Sequence, residues 1–291
     1  MSNSNACAGA HTHPRLRHRV VVETEEQTMT KSFELGRAIF ATAMAALGAQ
    51  CLIRINAVPA LEPVHGTAGL PVIGWITGVV LIAAAIATML RPAASYGAAV
   101  LAAMLFLWDA LLHAPALAAA PTNGGEWTGA AETFALGAAA LVLFGMTRLS
   151  AAWRGTPHAT VTRPLLIGRI CYGISMLGFG ALHFIYISYV AFVIPSWIPA
   201  HVFFAYATGV AHVAAGLGIL SGVLARLAAL CTAAMFGSWF LIIHIPRVVT
   251  HTQSADEWTS MLIALAMCGS ALLIASSLPP AQAAAVPESI A

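Results

Sequence analysis

The chain has 291 residues and a formal net charge of +2, and 59% of its residues are hydrophobic whereas only 8% are charged. Soluble domains carry roughly 25% charged residues, so this chain cannot cover itself with polar surface in water. The composition excludes a soluble globular protein, and no phosphate-binding loop or dinucleotide fingerprint points to a nucleotide or nucleic-acid partner. The lipid bilayer is therefore the expected environment.

Eight runs of about 20 apolar residues are long enough to cross a bilayer as helices. These runs are rich in Ala, Gly and Leu, and they lack the polar–apolar alternation of membrane β-strands. In chain order the predicted helices cover about 35–53, 72–90, 94–112, 128–147, 165–187, 202–220, 227–245 and 258–277. The sequence thus predicts an all-α integral membrane protein with eight transmembrane helices.

The two halves of the chain repeat one another. Gly36-Arg37 recurs 132 positions later as Gly168-Arg169, and several rarer residues recur 131 positions later. The pairs at 131 include Trp108 and Trp239, His113 and His244, Pro115 and Pro246, Glu126 and Glu257, and Trp127 and Trp258. A shared spacing among rare residue types indicates a tandem duplication. Because each half holds four helices, we expect both halves to enter the membrane in the same sense, as two parallel four-helix repeats.

The predicted organisation has five parts. They are a disordered cytoplasmic tail at 1–33, repeat one at 34–148, a cytoplasmic linker at 149–164, repeat two at 165–277 and a disordered tail at 278–291. The first tail is polar and the second is rich in Pro and Ala, compositions that do not build a packed core.

The positive charges predict the orientation in the membrane. Of the 13 Lys and Arg residues, 11 fall on one side of an eight-helix arrangement, and only Arg54 and Arg247 fall on the other. The side rich in Lys and Arg is the cytoplasmic side. We therefore expect a bacterial inner-membrane protein with both termini in the cytoplasm, and with the 3–4 and 7–8 loops facing outward.

Residues conserved between the two halves gather at these outward loops. Each has a structural explanation, because Trp anchors helices at the membrane interface, Pro ends helices and Glu stabilises a helix start. The occurrence of both a His and a Glu at matching positions of the two halves is explained less well by a structural role alone. His244, Glu257 and Trp258 in the second half, with their counterparts in the first, are therefore candidate ligand-binding residues.

The second half has further ionisable residues that the first half lacks. His183 and His212 lie inside predicted helices, where an ionisable side chain is costly and marks a functional candidate. Their counterparts in the first half are Cys51 and Leu81, and the counterpart of Arg247 is Ala116. Any binding site is thus expected in the second half, although a single such histidine is often only a packing residue.

The first half has a pattern of its own. Asp109 and His113 are four residues apart and share one helix face, and Glu126 and Glu132 follow on the next helix. The carboxylates could relay protons or line a polar pocket. We expect instead that they pair with Arg54 at the outer surface.

The spacing of histidines and cysteines argues against a metal or haem site. His201 and His212 would lie about 16 Å apart on one helix, too far for one metal ion. None of the five cysteines forms a Cys-x-x-Cys pair, so neither a thiol redox motif nor a zinc site is expected.

The second half resembles a known membrane family. The resemblance rests on His183-Phe-Ile-Tyr, on the Gly- and Ala-rich helix that follows Tyr206, on a short Gly turn at Gly222 and on Arg226-Leu-Ala-Ala. These features resemble the DoxX and DoxX-like family of small four-helix membrane proteins. The resemblance covers 165–277 well, and it reaches 35–145 only through the internal repeat.

The resemblance implies a redox setting without naming a catalytic residue. Some members are membrane subunits of sulfur-linked redox systems such as the quinone-reducing thiosulfate oxidoreductase, others associate with detoxifying enzymes, and eukaryotic relatives act as cargo receptors. It implies a quinone-interacting accessory subunit with a partner redox enzyme or, if catalytic, a quinone-linked oxidoreductase. A quinone headgroup would then meet His183, His212 or His244, with Glu257 or Arg247 assisting proton movement. A small-solute transporter and a scaffold for a partner enzyme remain open alternatives.

Overall fold

The computed structural model describes residues 14–54, 60–63, 70–152 and 158–278, and every regular element within these ranges is a helix. In chain order they are α1 (Pro14–Arg54), α2 (Leu70–Met89), α3 (Ala94–Trp108), π1 (Asp109–His113), α4 (Ala114–Ala119), α5 (Gly124–Ala152), α6 (His158–Ile185), α7 (Ile187–Val193), α8 (His201–Ser221), α9 (Ala225–Trp239), π2 (Phe240–His244), α10 (Ile245–Thr250) and α11 (Ala255–Ser276).

Eight helical stretches in the described ranges are long and apolar enough to cross a membrane. They are Gln27–Arg54, Pro71–Met89, Ala94–Ala119, Gly124–Leu149, Thr162–Ile185, His201–Ser221, Ala225–Thr250 and Ala255–Ser276. The predicted all-α membrane protein with eight spans is thereby confirmed. α7 is a short additional helix between the fifth and sixth spans.

Two of the spans run straight through a proline at which the sequence predicts a helix end. The third span continues past Leu112 to Ala119, and the seventh continues past Ile245 to Thr250. In each, a five-residue π-helix comes just before Pro115 or Pro246. Proline lacks an N–H group and its ring clashes with the carbonyl of the preceding turn. The wider π turn shifts the hydrogen-bond ladder by one residue at that point, so the helix continues.

The predicted boundaries outside the spans are also corrected. α1 begins at Pro14, so residues 14–33 are helical rather than a disordered tail. α5 extends to Ala152 and α6 begins at His158, so helix occupies both ends of the predicted linker. Polar residues end an apolar run without ending a helix, because the backbone hydrogen bonds continue in water. Residues 1–13, 55–59, 64–69, 153–157 and 279–291 lie outside the described residues, and with them the predicted C-terminal tail beyond Leu278.

The bundle is built around α5 and α11, which contact one another. α11 is the most enclosed span, with 78% of its most apolar window buried inside the protein. Outside this pair, α1 packs on α11 and α2, and α6 packs on α5 and α8. α3 closes one half against α2 and α5, and α9 closes the other against α8 and α11. Each contact in one half thus has a counterpart in the other.

Small residues permit these contacts at matching places. A Cβ atom added at Gly168 of α6 would lie 2.7 Å from the carbonyl oxygen of Ala138 in α5. A Cβ atom at Gly36 of α1 would lie 3.1 Å from the carbonyl oxygen of Gly269 in α11. Close backbone approach at small residues is how membrane helices gain packing energy where no hydrophobic effect separates helix from lipid.

Several hydrogen bonds join the halves in the described residues, and two of them, at the end of the bundle that carries the 3–4 and 7–8 loops, correspond to one another. The Tyr186 hydroxyl donates to the carbonyl oxygen of Thr122 over 2.7 Å, and the Arg54 guanidinium donates to the carbonyl oxygen of Gln253 over 3.3 Å. Arg54 and Tyr186 are 132 residues apart, and Thr122 and Gln253 are 131 apart, so the bonds are counterparts. This reciprocity favours the two-repeat interpretation, which stays a prediction.

Candidate functional site

Two histidines from neighbouring helices lie side by side in the second half. The ring centroids of His183 in α6 and His212 in α8 are 4.7 Å apart. Phe179 comes one turn before His183 on α6, and Phe236 and Trp239 are three residues apart on α9, so each helix presents one face to the same point. We call these five residues the imidazole–aromatic cluster.

The aromatic rings enclose the two imidazoles. Trp239 stacks on His183 with an interplanar angle of 19° and 6.1 Å between centroids. Phe179 and Phe236 lie 5.6 Å and 5.7 Å from the His212 ring. Phe236 meets Trp239 edge-on at 5.4 Å, a preferred arrangement for aromatic pairs. The His212 side chain is fully buried as a result.

The hydrogen bonds of the two imidazoles determine where their protons lie. Nδ1 of His183 is 2.8 Å from the carbonyl oxygen of Phe179, and Nδ1 of His212 is 2.9 Å from that of Thr208. A carbonyl oxygen can only accept, so Nδ1 carries the hydrogen in both rings. In the neutral ring, Nε2 is then a hydrogen-bond acceptor.

The acceptor of His212 is left unused. Its Nε2 atom is buried and has no hydrogen-bond partner in the described part of the chain. An unsatisfied buried acceptor costs about 1–3 kcal/mol, so such a group needs an explanation. Aromatic rings around the free Nε2 acceptor of His212 suit a planar ligand that donates a hydrogen bond from a hydroxyl or N–H group.

A second polar group of the same half lies beside the loop between α10 and α11. Arg247 in α10 donates from Nε and from a terminal nitrogen to the two carboxylate oxygens of Glu257, both at 2.7 Å. The arginine side chain is 38% exposed and the glutamate 15%. This bidentate ion pair gives each charge a partner. Separately, the Ser254 side chain caps the N-terminus of α11 by accepting a hydrogen bond from the Glu257 N–H.

The second-half residues predicted to bind a ligand form two separate pairs in the structure, with His244 and Trp258 outside both. The structure brings His183 to His212, and it brings Arg247 to Glu257. His244 ends π2, three residues before Arg247, and its buried Nδ1 has no hydrogen-bond partner among the described residues. The Trp258 indole donates to the carbonyl of Thr252 over 2.9 Å and so closes the loop between α10 and α11.

The predicted first-half residues form a different arrangement. His113 is buried, with Nε2 3.2 Å from the Thr133 hydroxyl, which donates to the Ala60 carbonyl at 3.3 Å. The Trp127 indole donates to the carbonyl of Pro121 over 2.9 Å, as its counterpart does in the second half. Glu126 is in the first turn of α5.

The expected pairing of the first-half carboxylates with Arg54 is wrong. Arg54 hydrogen-bonds the Gln253 carbonyl, and neither oxygen of Asp109 has a partner within the described ranges. Arg54 ends α1, which packs against α11, so its side chain reaches the 7–8 loop of the other half.

Several residues of the site are missed by the sequence analysis. Phe179, Phe236 and Trp239 complete the cluster, and only Trp239 carries a signal, its recurrence as Trp108. Glu62 is also missed; it is buried and accepts a hydrogen bond from Thr77 at 2.5 Å. Among the described residues, no group of three or more His, Cys, Asp or Glu is placed to hold a metal ion.

The comparisons with known proteins single out the second half. Residues 173–278 match a family model described as "Domain of unknown function (DUF8561)". The matched range runs from within α6 to the end of α11, and it contains the whole imidazole–aromatic cluster. No curated protein and no solved structure matches the chain.

Proposed function

We propose that this multi-pass membrane protein is a DoxX-like, redox-associated subunit that binds the headgroup of a reduced quinone in the imidazole–aromatic cluster. One observation carries the proposal: the buried Nε2 of His212 has no hydrogen-bond partner among the described residues, while its Nδ1 donates to the Thr208 carbonyl. The family resemblance of the second half supplies the redox setting.

The free hydrogen-bond acceptor of His212 favours the quinol over the quinone. A quinone offers only carbonyl oxygens, which accept hydrogen bonds, and Nε2 of a neutral His212 is also an acceptor. A quinol offers hydroxyl groups, which donate to such a nitrogen. The same nitrogen can then take up a proton when the hydroxyl loses one, which is the work of a general base.

The surroundings suit a flat apolar ring that arrives through lipid. Phe179, Phe236 and Trp239 supply aromatic faces, and the cluster is formed by three spans. His212 lies eleven residues into α8, about 16 Å along the helix, so the ligand meets it within the bilayer.

The first half supplies the variants that test the site. Leu81 and Cys51 stand where the second half has His212 and His183, and both are fully buried. His212→Leu and His183→Cys therefore install residues that this architecture already accommodates. His251→Ala, at an exposed position outside the cluster, is the matched control.

The experiment is a titration of the purified full chain with decylubiquinol and decylubiquinone, followed by tryptophan fluorescence and calorimetry. We expect the quinol to bind at least tenfold more tightly than the quinone, and His212→Leu to remove at least tenfold of that affinity, since 1.4 kcal/mol is tenfold. Equal binding of both forms, or unchanged affinity in His212→Leu, would contradict the proposal. His251→Ala should bind as the unaltered chain does.

The orientation is part of the same proposal: two parallel repeats in a bacterial plasma membrane, with both termini cytoplasmic. The distribution of Lys and Arg supports it, and so do the two reciprocal hydrogen bonds at the outward end. Single cysteines introduced by Pro121→Cys and Gln253→Cys in a cysteine-free background should both react with an impermeant maleimide in spheroplasts. Labelling of only one of them would overturn the parallel arrangement.

A partner redox enzyme completes the proposal, since a subunit that binds quinol needs a protein that accepts or supplies the electrons. Arg247 and Glu257 lie at the outward end and present a partly exposed charged pair to such a partner. Mild-detergent purification of the full chain, with mass spectrometry of what accompanies it, should recover an oxidoreductase. Recovery of the chain alone would count against this part.

A further inference from the structure

The first half contains a buried carboxyl group that the quinol site does not use. Asp109 is the first residue of π1, within the third span. Both of its carboxyl oxygens are buried, and across 27–54, 60–63, 71–149 and 162–278 neither accepts a hydrogen bond. The one basic residue expected to pair with it, Arg54, donates to the Gln253 carbonyl instead.

The neighbouring contacts show which helix Asp109 faces. Phe106, three residues earlier, packs edge-on against Phe134 of α5 with centroids 5.4 Å apart. His113, four residues later, meets the Thr133 hydroxyl of α5 at 3.2 Å. Residues three and four apart share a helix face, so Asp109 lies on the face packed against α5, between these two contacts. Its oxygens are enclosed by protein rather than by lipid.

The surroundings of the Asp109 carboxyl group decide whether it binds a metal cation or a proton. An ionised carboxylate buried without a partner is strongly unfavourable in a membrane protein. A hard metal cation would need several oxygen ligands, and the described residues hold no group of three acidic, His or Cys side chains that could supply them. A proton needs no further ligand.

We propose that Asp109 is a proton-binding site and that it carries its proton as a neutral carboxylic acid at neutral pH. Release gives the carboxylate and one free proton, and uptake reverses this with no change in electrons. His113, one turn away on the same face, is the nearest titratable side chain along the helix, and on α5, which packs against that face, Glu132 directly precedes Thr133. The site is specific to the first half, because the counterpart of Asp109 is Phe240.

The composition of the chain allows a direct test on the unaltered protein. Asp109 and Asp256 are its only two aspartates, and Asp256 is exposed at the outward start of α11. Labelling aspartate with ¹³C at its side-chain carboxyl therefore marks one buried and one exposed group. Infrared difference spectra of labelled against unlabelled protein at neutral pH then report only these two.

We expect one labelled group to show the C=O stretch of a carboxylic acid, shifted in ²H₂O, and the other to show carboxylate bands. Asp109→Asn should remove the acid band, whereas Asp256→Asn should remove the carboxylate bands. Two labelled carboxylates in the unaltered protein would overturn the proposal, and so would an acid band that survives in Asp109→Asn. The result on the unaltered chain stands whether or not a variant folds, and it does not depend on quinol binding.

Discussion

The hydroxyl of Tyr186 donates to the carbonyl oxygen of Thr122 over 2.7 Å, and this bond joins the C-terminal end of α6 to the loop between α4 and α5. The ring of Tyr186 also packs beside Gly124, where an added Cβ atom would lie 2.9 Å from it. The contact holds the second half against the first at the side opposite the linker.

Removing that hydroxyl should weaken the junction of the halves. We expect Tyr186→Phe to lower the free energy of unfolding by about 0.5–1 kcal/mol, the net value of one partly exposed hydrogen bond. Reversible unfolding in mixed detergent micelles measures the change. Tyr206→Phe is the control, because among the described residues Tyr206 makes ring contact with Phe184 but no hydrogen bond. Equal losses in both variants would contradict the assignment.

The close approach of α5 and α6 should depend on Gly168. An added Cβ atom would lie 2.6 Å from Val142 Cγ2 and 2.7 Å from the Ala138 carbonyl oxygen, and the backbone oxygen cannot rotate away. We expect Gly168→Ala to cost about 1–3 kcal/mol in unfolding experiments, as over-packed cores do.

A glycine of the same helix provides the matched control for that substitution. A Cβ atom at Gly178 would meet nothing within 4 Å. Gly178→Ala should therefore be neutral or stabilising by up to about 1 kcal/mol, because alanine is the better helix former. If Gly178→Ala cost as much as Gly168→Ala, helix contact would not be the cause.

Trp127 in the first turn of α5 and Trp258 in the first turn of α11 should contribute equally to stability if the halves are equivalent units. Trp127 donates to the Pro121 carbonyl and Trp258 to the Thr252 carbonyl, each over 2.9 Å. We expect Trp127→Phe and Trp258→Phe each to cost about 1 kcal/mol, because each loses one hydrogen bond and keeps an aromatic ring. If the two substitutions changed the free energy of unfolding by amounts that differ by more than about 1 kcal/mol, the two tryptophans would not be energetically equivalent.

The ion pair between Arg247 and Glu257 should show a modest, salt-dependent coupling. Its two bonds have good geometry, but the arginine is 38% exposed, so water screens the charges. A double-mutant cycle with Arg247→Ala and Glu257→Gln should give about 0.5–1 kcal/mol, decreasing as salt is added. The control cycle pairs Glu257→Gln with Arg226→Ala and should give no coupling; similar values in both cycles would refute a specific pair.

Much of the membrane architecture can be predicted because lipid imposes it. A chain with 8% charged residues is expected in lipid, where backbone N–H and C=O groups must be hydrogen-bonded within helices. The length of each helix then follows from the thickness of the bilayer. The recurrence of Trp108 as Trp239 and of His113 as His244 likewise predicts matching positions, and the π-helices end at those same two histidines. The continuation of the helices through Pro115 and Pro246 was not predictable, because it depends on a local widening that has no sequence signature.

The candidate site was predictable only in part. His183 and His212 stand out in the sequence as ionisable residues inside apolar helices, which is a local property. Their contact, with ring centroids 4.7 Å apart, depends on how α6 packs against α8. In the sequence, the aromatic residues around them are typical of core residues, and only the packing of α9 brings Phe236 and Trp239 to the two histidines. The supposed pairing of Asp109 with Arg54 failed for the same reason, since charge alone does not say which helices are neighbours.

By itself, the sequence determined the all-helical fold of the described ranges and the eight helices in them that are long and apolar enough to cross a membrane, because composition and the lengths of apolar runs carry that information. Only the tertiary structure decided that, among the residues it describes, Nε2 of His212 is an unused acceptor and the Asp109 carboxyl oxygens have no hydrogen-bond partner. Hydrogen bonds and burial are set by distances between helices that are far apart in sequence, and those distances follow from the packing of the whole bundle.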